Sequence, residues 1–442
     1  MRATGSAICL GVMAVVVGAC TVPGQPPRGG RPTTTTTVPT TATTEPPSTT
    51  STVPTTVTTE APATTTTEAP STTTTTVPAP PVGAITRITD GNSSAFYPSV
   101  SANGRYIAYY SRASNLVPDD TNGVADIFVW DRETDTTTRI TDGNDWSRLP
   151  SISADGRYVT FDSQASNLVP GDTNRFMDVF VWDRDTGTTT RITSGNDESG
   201  DAVISADGRS ITFNSKASNL VADDPNGFDR DVFVWNADTG TTTRITDSVW
   251  YLDEDSFTGG ISADGRYVTF SSYSSTLDPN DTNEREDVFV WDSTTGIITR
   301  ISEDGVAGGA SISGDGRFVT YTAARGGSQV FVWDSTTGEN THITESFEGS
   351  SSSGGISADG RYITLQSWAP NLVGDDTNGV CDVFVWDRLT ETMTRITGGN
   401  GDSVNPTIAA DGRSIAFDSG AENLVTDDSN AVGDVFIWDS DG

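Results

Sequence analysis

From residue 83 onward the apolar positions fall in short bursts bounded by turn-forming residues, and the bursts recur in a fixed order. In one copy, residues 149–153 (LPSIS) read as a short strand, here called a. The turn Ala154-Asp155-Gly156 follows, since Asp-Gly tolerates the positive φ of a tight hairpin. Residues 157–163 (RYVTFDS) read as strand b and, after a polar loop, residues 178–183 (DVFVWD) as strand c. A turn at Asp185-Thr186-Gly187 leads to residues 188–193 (TTTRIT), strand d. Strand c is apolar at consecutive positions, so both of its faces are expected to be buried, as in a sheet packed between two others.

This unit occurs seven times. The hairpin glycine recurs at Gly104, Gly156, Gly208, Gly265, Gly316, Gly360 and Gly412, and the strand-c tryptophan at Trp130, Trp182, Trp235, Trp291, Trp333, Trp386 and Trp438. Glycine and tryptophan stand 26 residues apart in five copies, 27 in the third and 17 in the fifth. Four-stranded units of about 50 residues that recur at this period predict an all-β fold, a seven-bladed β-propeller over residues 83–442. The last copy stops at Trp438-Asp439 with no TTTRIT segment, whereas residues 84–89 (AITRIT) are an orphan copy of it. The N-terminal strand is therefore expected to complete the seventh blade and remove the open edges a sheet must otherwise protect.

The first 82 residues follow other rules. Arg2 precedes an uncharged run of 13 residues, 7–19 (AICLGVMAVVVGA), which suits an export leader and is too short to span a bilayer. It ends in Val17-Gly18-Ala19-Cys20, which resembles the lipobox of bacterial lipoproteins. The resemblance implies cleavage after residue 19, acylation of Cys20 and an extracytoplasmic protein held at the cell membrane. Residues 20–82 then carry a Thr/Pro-rich tract with no hydrophobic periodicity, expected to be disordered. At about 3.1 Å per residue in polyproline-II stretches it would act as a tether of roughly 100–190 Å, and its Thr/Pro density suits an O-glycosylated stalk.

Charge narrows the partners. The net charge is −34, and only Arg2, Arg28, Arg31, Glu45, Glu60 and Glu68 among the charged residues precede residue 83, so the repeat region carries all of the excess. Such a surface repels phosphate polyanions, which argues against nucleic acid. The cysteines are Cys9, Cys20 and Cys381; with the first in the leader and the second assigned to lipid, no disulfide framework exists. Cys381 stands where other copies have Ala125 and Met177, and is expected to pack.

The long b–c and d–a connections open on one face of a propeller, and function concentrates on such loops. The b–c loops repeat Asp-x-Asn-x-x-x-Asp: Asp120/Asn122/Asp126, Asp172/Asn174/Asp178, Asp281/Asn283/Asp287, Asp376/Asn378/Asp382 and Asp428/Asn430/Asp434, with Asp224/Asn226/Asp231 one residue longer. The fifth copy lacks the loop. Two readings fit: calcium sites, from oxygen ligands two and six apart, or side-chain-to-backbone turns. The first ligand position of a calcium loop, two residues before each set, holds Pro118, Pro170, Ala222, Pro279, Gly374 or Thr426, none a carboxylate. The d–a loops differ most between copies and supply a candidate ligand rim of Tyr97, Trp146, Arg148, Trp250, Tyr251 and Phe257, aromatics beside carboxylates such as Asp201 and Asp255. Such a rim could stack on sugars or grip a basic peptide.

The repeats resemble the TolB-like propeller family, whose units carry a Ser-x-Asp-Gly-Arg hairpin before an apolar strand, here Ser153, Asp155, Gly156 and Arg157 and their six counterparts. That resemblance spans residues 83–442 and implies the fold, with functions ranging over partner-binding proteins, peptidase accessory domains and lyases. The lone histidine, His342, replaces a strand-d arginine (Arg139, Arg191, Arg244, Arg300, Arg395) and offers no triad or His-rich metal centre. The expectation is a monomeric surface lipoprotein that binds a protein or glycan of the cell envelope, with no certain cofactor beyond the calcium reading. The alternative is a carbohydrate-active hydrolase or lyase using channel carboxylates.

Overall fold

The computed structural model describes residues 83–222, 224, 229–246, 255–302, 306–324, 326–344 and 349–440. The leader, Cys20 and the Thr/Pro tract lie outside these residues, as do Asn226, Trp250 and Tyr251.

Among the described residues every regular element is a strand, and the strands form seven four-stranded antiparallel sheets. Blade 2 is typical: strand a is Ser147–Ile152, b is Tyr158–Ser163, c is Asp178–Asp183 and d is Thr188–Arg191, paired in that order. The first strands, beginning at Ala95, Ser147, Ser199, Ser256, Ala307, Ser351 and Ser403, each abut the first strands of the blades on either side. They therefore circle the axis, and the d strands face outward. The protein is a seven-bladed β-propeller.

The core lies between blades. One apolar cluster joins Ile127 and Val129 of blade 1 to Val159, Phe161, Phe180 and Trp182 of blade 2, and the same arrangement fills each of the seven junctions. This explains the unbroken apolar run of strand c, because Val179 packs toward one neighbour and Phe180 toward the other. Directly opposite rings stack across strands b and c, as in Phe161–Phe180 at 5.7 Å and Phe270–Phe289 at 5.4 Å. Such pairs add to the burial term beyond their area.

The hairpin motif has a local reason at each residue. The Ser153 hydroxyl donates to Asp155 Oδ1 at 2.7 Å, which also accepts from the Arg157 N–H at 2.9 Å. The Arg157 guanidinium pairs with Asp183 at the end of strand c. Gly156 has φ 68°, and a Cβ there would lie 2.2 Å from the Tyr106 ring of the preceding blade. Only glycine satisfies both constraints.

Closure takes the expected form. The strand Gly83–Arg87 pairs antiparallel with Asp434–Ser440, from Gly83 opposite Ser440 to Arg87 opposite Phe436. Thr89 Oγ1 donates to Asp434 Oδ1 at 2.6 Å, and Arg87 pairs with Asp428 at 3.1 Å. Several boundaries differ from the sequence reading: strand a ends at Ile152, strand b begins at Tyr158 and the closing strand spans 83–87, and two further shifts have a local cause. Strand a starts two residues earlier, at Ser147, and carries a bulge in which the register shifts between Arg148 and Ser151. Strand d ends at Arg191, because Thr193 turns its hydroxyl inward to Asp178 Oδ1 at 2.8 Å.

Deleting residues 83–89 removes the outer strand of blade 7 with about five ladder hydrogen bonds at ~1 kcal/mol each. Thermal unfolding of the truncated chain should shift down by on the order of 10 °C; an unaltered midpoint would rule out closure as a stabilising element.

Candidate functional site

Two sets of polar residues occupy the face that carries the b–c and d–a loops. The outer set contains the Asp-x-Asn-x-x-x-Asp motif, and its central cation is an arginine of the chain itself. In blade 1, Arg139 Nη1 lies 2.9 Å from Asp120 Oδ1 and 3.5 Å from Asp126 Oδ2. Asn122 Nδ2 donates to Asp126 Oδ2 at 2.8 Å and to the Gly143 carbonyl of the following d–a loop at 3.2 Å. The Thr141 hydroxyl donates to Asp126 Oδ1 at 2.6 Å. The guanidinium is 12% exposed and the two carboxylates 1% and 0%, so the pair lies beneath the loop. The arrangement recurs in five more copies. Arg191 faces Asp172 and Asp178, Arg244 faces Asp224 and Asp231, and Arg300 faces Asp281 and Asp287. Arg395 faces Asp376 and Asp382, and Arg87 faces Asp428 and Asp434. Burial pushes the Asp126 carboxyl up, against the opposing pull of Thr141, Asn122 and Arg139.

Blade 5 is an internal control. It lacks the loop, carries Gln329 in place of the strand-c aspartate and His342 in place of the strand-d arginine. His342 Nε2 lies 3.2 Å from Gln329 Oε1, and its ring stacks on Phe331 at 4.6 Å. Loop, carboxylate and arginine are thus absent together.

Of the two readings of the loops, these contacts favour local turns over calcium sites. On the calcium reading Asn174, Asn283, Asn378 and Asn430, like Asn122, would offer an oxygen to an ion. Each instead turns its amide nitrogen, which cannot ligate a cation, toward the last aspartate of its motif. Asn174 Nδ2 donates to Asp178 at 2.9 Å, Asn283 to Asp287 at 2.8 Å, Asn378 to Asp382 at 2.8 Å and Asn430 to Asp434 at 2.9 Å. Their amide oxygens accept the N–H groups of Phe176, Arg285, Val380 and Val432, and Asn122 Oδ1 that of Val124. These are the contacts of local turns. Asp231, another expected ligand, is engaged in the same way as Asp126. Its Oδ1 accepts from the Thr246 hydroxyl at 2.7 Å, and its Oδ2 lies 3.6 Å from Arg244 Nη1. The loop oxygens therefore do not fit a resident dication, because a guanidinium already sits between them and would oppose it at contact distance. Among the described residues no three His, Cys, Asp or Glu side chains converge on a metal position.

The inner set rings the channel mouth. It is built from the fifth residue of each b strand, Tyr110, Asp162, Asn214, Ser271, Thr322, Gln366 and Asp418. Four of them accept a backbone N–H from the third strand-a residue of the next blade. Asp162 Oδ2 accepts from Asp201 (2.8 Å), Thr322 Oγ1 from Ser353 (2.9 Å), Gln366 Oε1 from Asn405 (2.7 Å) and Asp418 Oδ1 from Tyr97 (3.2 Å). These clasps hold the strand-a bulge. Its third residue has positive φ in five blades: Tyr97 (50°), Leu149 (51°), Asp201 (53°), Gly309 (63°) and Asn405 (54°).

The ring is chemically uneven: Tyr110, Asp162 and Asp418 are its aromatic and ionisable members, in blades 1, 2 and 7, and at blade 4 Ser271 donates to the half-buried Glu286 carboxylate at 2.6 Å. Asn405 Nδ2 donates to Asp418 Oδ1 at 2.9 Å, and Asn214 Nδ2 to Asp201 Oδ2 at 2.8 Å. Tyr97 stacks on Tyr110 at 5.9 Å, and Phe96 leans on the same ring at 5.7 Å. The Arg148 guanidinium lies 4.6 Å over the Trp146 ring and donates to Met177 Sδ at 3.4 Å. The Tyr97 phenol is raised first by burial, with the charges of Asp418 and Asp201 raising it further and that of Arg148 opposing them. Burial pushes Asp418 up to about 7, and it raises Asp162 well above the ordinary carboxylate range. Arg148 Nε and Asp162 Oδ1 are buried with no hydrogen-bond partner.

Of the rim residues expected from sequence, Tyr97, Trp146 and Arg148 belong to this cluster. Phe257 lies in strand a of blade 4, with Arg230 5.2 Å from its ring, and Trp250 and Tyr251 fall outside the described residues. Cys381 is fully buried, and burial raises its thiol. Sequence reasoning missed Asp162, Asp418, Asn214 and Tyr110. Their signal was present: the fifth strand-b position changes chemistry from copy to copy while the residue before it stays large and apolar.

No protein-family model matches the chain, and no curated protein matches it in sequence. Solved structures do. An oligogalacturonate lyase from Vibrio parahaemolyticus superposes with TM-score 0.54 at 14% identity, over 80% of this chain and 93% of that one. The β-propeller domain of the Trilobed protease from Pyrococcus furiosus gives 0.55 at 12% identity, over 80% and 95%. That domain has an open velcro topology, whereas this chain closes with its N-terminal strand. TolB from Acinetobacter baumannii gives 0.41 at 15% identity, over 81% and 79%, too low to carry an argument. At these identities the likeness is one of fold.

Arg139→Met leaves two buried carboxylates unpaired and should destabilise the protein by about 3 kcal/mol, recovered in part by adding Asp120→Asn. Millimolar Ca²⁺ should leave the wild-type melting midpoint unmoved; a rise would show that the loops do bind the ion. Asp418 supplies a pH test. Its folded pKa, about 7, lies above its unfolded value near 4. The folded state therefore holds the extra proton between those values, and stability falls as pH rises through that window. Asp418→Asn removes a cost on the order of 4 kcal/mol at high pH. The variant should melt above wild type at pH 8.5, with the gap closing by pH 5; a gap independent of pH would disprove the buried acid.

Proposed function

We propose that the protein is an extracytoplasmic binding scaffold, anchored through Cys20 and its Thr/Pro tether, that takes a glycan or protein of the cell envelope at the channel mouth over blades 7, 1, 2 and 3. One observation carries this reading. Backbone, hairpins and arginine-pinned loops repeat around the ring, while the inner ring changes chemistry from blade to blade, with Tyr97, Tyr110, Arg148, Asp162 and Asp418 in the adjacent blades 7, 1 and 2. A fold needs no such asymmetry; a ligand does. The excess negative charge of the chain disfavours polyanions, and Arg148 supplies a cation at the mouth. The alternative, a hydrolase or lyase, is supported by the buried acid Asp162 bonded to the Asp201 backbone, a candidate proton donor.

The full chain, presented to arrayed envelope glycans and to envelope extract, should retain a ligand that Arg148→Gln releases without lowering the melting midpoint. Mass spectrometry of retained glycans should show them uncleaved. Ligand capture indifferent to Arg148 would move the site elsewhere, and shortened products would favour the hydrolase or lyase.

A further inference from the structure

On the hairpin face, opposite the long loops, the seven junctions between blades are not alike. The hairpin glycine of each blade lies against the first strand-b residue of the blade before it, as Gly156 lies against Tyr106. At five junctions that residue is Tyr or Phe; the exceptions are Ser210 between blades 3 and 4 and Ser414 between blades 7 and 1. A backbone bond also links hairpin to hairpin, from the Ala102 N–H and Ala154 carbonyl at 3.0 Å on to the Ala358 N–H and Ala410 carbonyl at 3.0 Å. The junction at Ser210 keeps that bond, from the Asp207 N–H to the Ala263 carbonyl at 3.2 Å. Among the described residues no such bond passes from the blade 7 hairpin to that of blade 1. The 7/1 junction therefore lacks both the ring and the backbone bond.

An ion pair crosses that face instead. Arg132 Nη1 donates to Asp439 Oδ1 at 2.8 Å, and Nη2 to Oδ2. The counterparts of Arg132 cover rings of the preceding blade, Arg184 at 4.0 Å from Tyr106 and Arg388 at 3.8 Å from Phe318. With Ser414 in the ring position, Arg132 has nothing to cover. Its guanidinium is 41% exposed, and a pair so placed adds little stability and is screened by salt. The loop-face side of the same junction is tied more firmly. The Ala95 N–H donates to the Gly433 carbonyl at 2.9 Å, the Gly433 N–H to Ser94 Oγ at 3.0 Å, and Asp418 clasps the Tyr97 N–H. The chain itself crosses there, through residues 88–94.

We infer that the 7/1 junction is a seam that parts from the hairpin face, with the loop face as its hinge, and that salt favours the open form. The apolar cluster shared by the two blades, Tyr109 and Phe128 with Val435 and Ile437, draws the seam shut again. Opening is thus a local event below global unfolding, and it makes a lateral gap at the end of the ring away from the mouth.

Ser414 and Ser210 are matched reporters, 6% and 7% exposed at equivalent positions. In the full chain carrying either Ser414→Cys or Ser210→Cys, thiol labelling is followed peptide by peptide by mass spectrometry. The fully buried native Cys381 reports global unfolding in the same samples. The thiol at position 414 should label about tenfold or more faster than that at position 210. Raising NaCl to about 1 M, which screens charges more than a few ångströms apart, should speed position 414 severalfold and leave position 210 unmoved. Adding Arg132→Gln should bring the low-salt rate at 414 up to the high-salt one and remove the salt effect. Equal labelling at the two positions overturns the seam, as does labelling at 414 no faster than at Cys381. A rate at 414 indifferent to salt and to Arg132→Gln overturns the role of the ion pair.

Discussion

Sheets set radially around an axis bury both faces only if the first and last of them meet. That closure is the constraint on which the rest of the molecule depends. Each apolar cluster spans two blades, so no blade owns a complete core, and the cluster joining Tyr109 and Phe128 to Val435 and Ile437 exists only because the ring is shut. The N-terminal strand, paired from Gly83 to Arg87 with the end of the chain, makes that junction a chain-wide crosslink. With the sole described cysteine buried and free, hydrogen bonds and packing do what covalent staples do in smaller exported domains.

The second recurring device is the arginine beneath each long loop. A buried ion pair adds little net stability over an apolar filling, yet breaking one side of it is costly. Its use here is geometric. Arg139 ties the end of strand d to the b–c loop, and Asn122 ties that loop to the Gly143 carbonyl of the next connection. Asn174, Asn378 and Asn430 make the same tie to the Gly195, Gly399 and Gly91 carbonyls. Top-face loops are thereby fixed to the blade below and to one another. Blade 5, where loop, carboxylate and arginine are missing together, shows from within the chain that these parts form one unit. Burial lifts the Asp126, Asp178, Asp287, Asp382 and Asp434 carboxyls, against the pull of the hydroxyl, asparagine and arginine groups that surround each of them.

Blade number, strand order and closure were legible in the sequence because they are written seven times, and a repeat acts as its own alignment. Strand c announced its double burial by losing alternation. The loop motif was equally visible, but its meaning was not. Asp, Asn and Asp at fixed spacing describe oxygen donors, and the cation between them comes from Arg139, beyond the next turn, a residue that sequence marks only as part of a threonine-rich strand. The inner ring was obscured for another reason. Asp162 and Asp418 sit in strands buried along nearly their whole length, where polar residues such as Thr160, Ser163, Ser414 and Ser419 are buried as well, so an aspartate there gives no periodicity signal. Only their clasp on the next blade, across 39 residues for Asp162 and through the ring closure for Asp418, reveals what they do.

A near-symmetric ring cannot by itself discriminate among ligands, since seven equal sectors offer seven equal contacts or none. Discrimination requires positions that vary without disturbing the scaffold. The fifth strand-b residue meets that condition, because its structural task is to accept one N–H. Asp, Gln and Thr all do so in this chain, which leaves the rest of each side chain free to differ. The third strand-a residue is the complementary case. Its backbone conformation suits Gly, Asn or Asp, and two blades hold Tyr97 and Leu149 there instead. Where local preference and residue identity disagree in an otherwise consistent repeat, the disagreement marks the part of the molecule that folding alone does not account for.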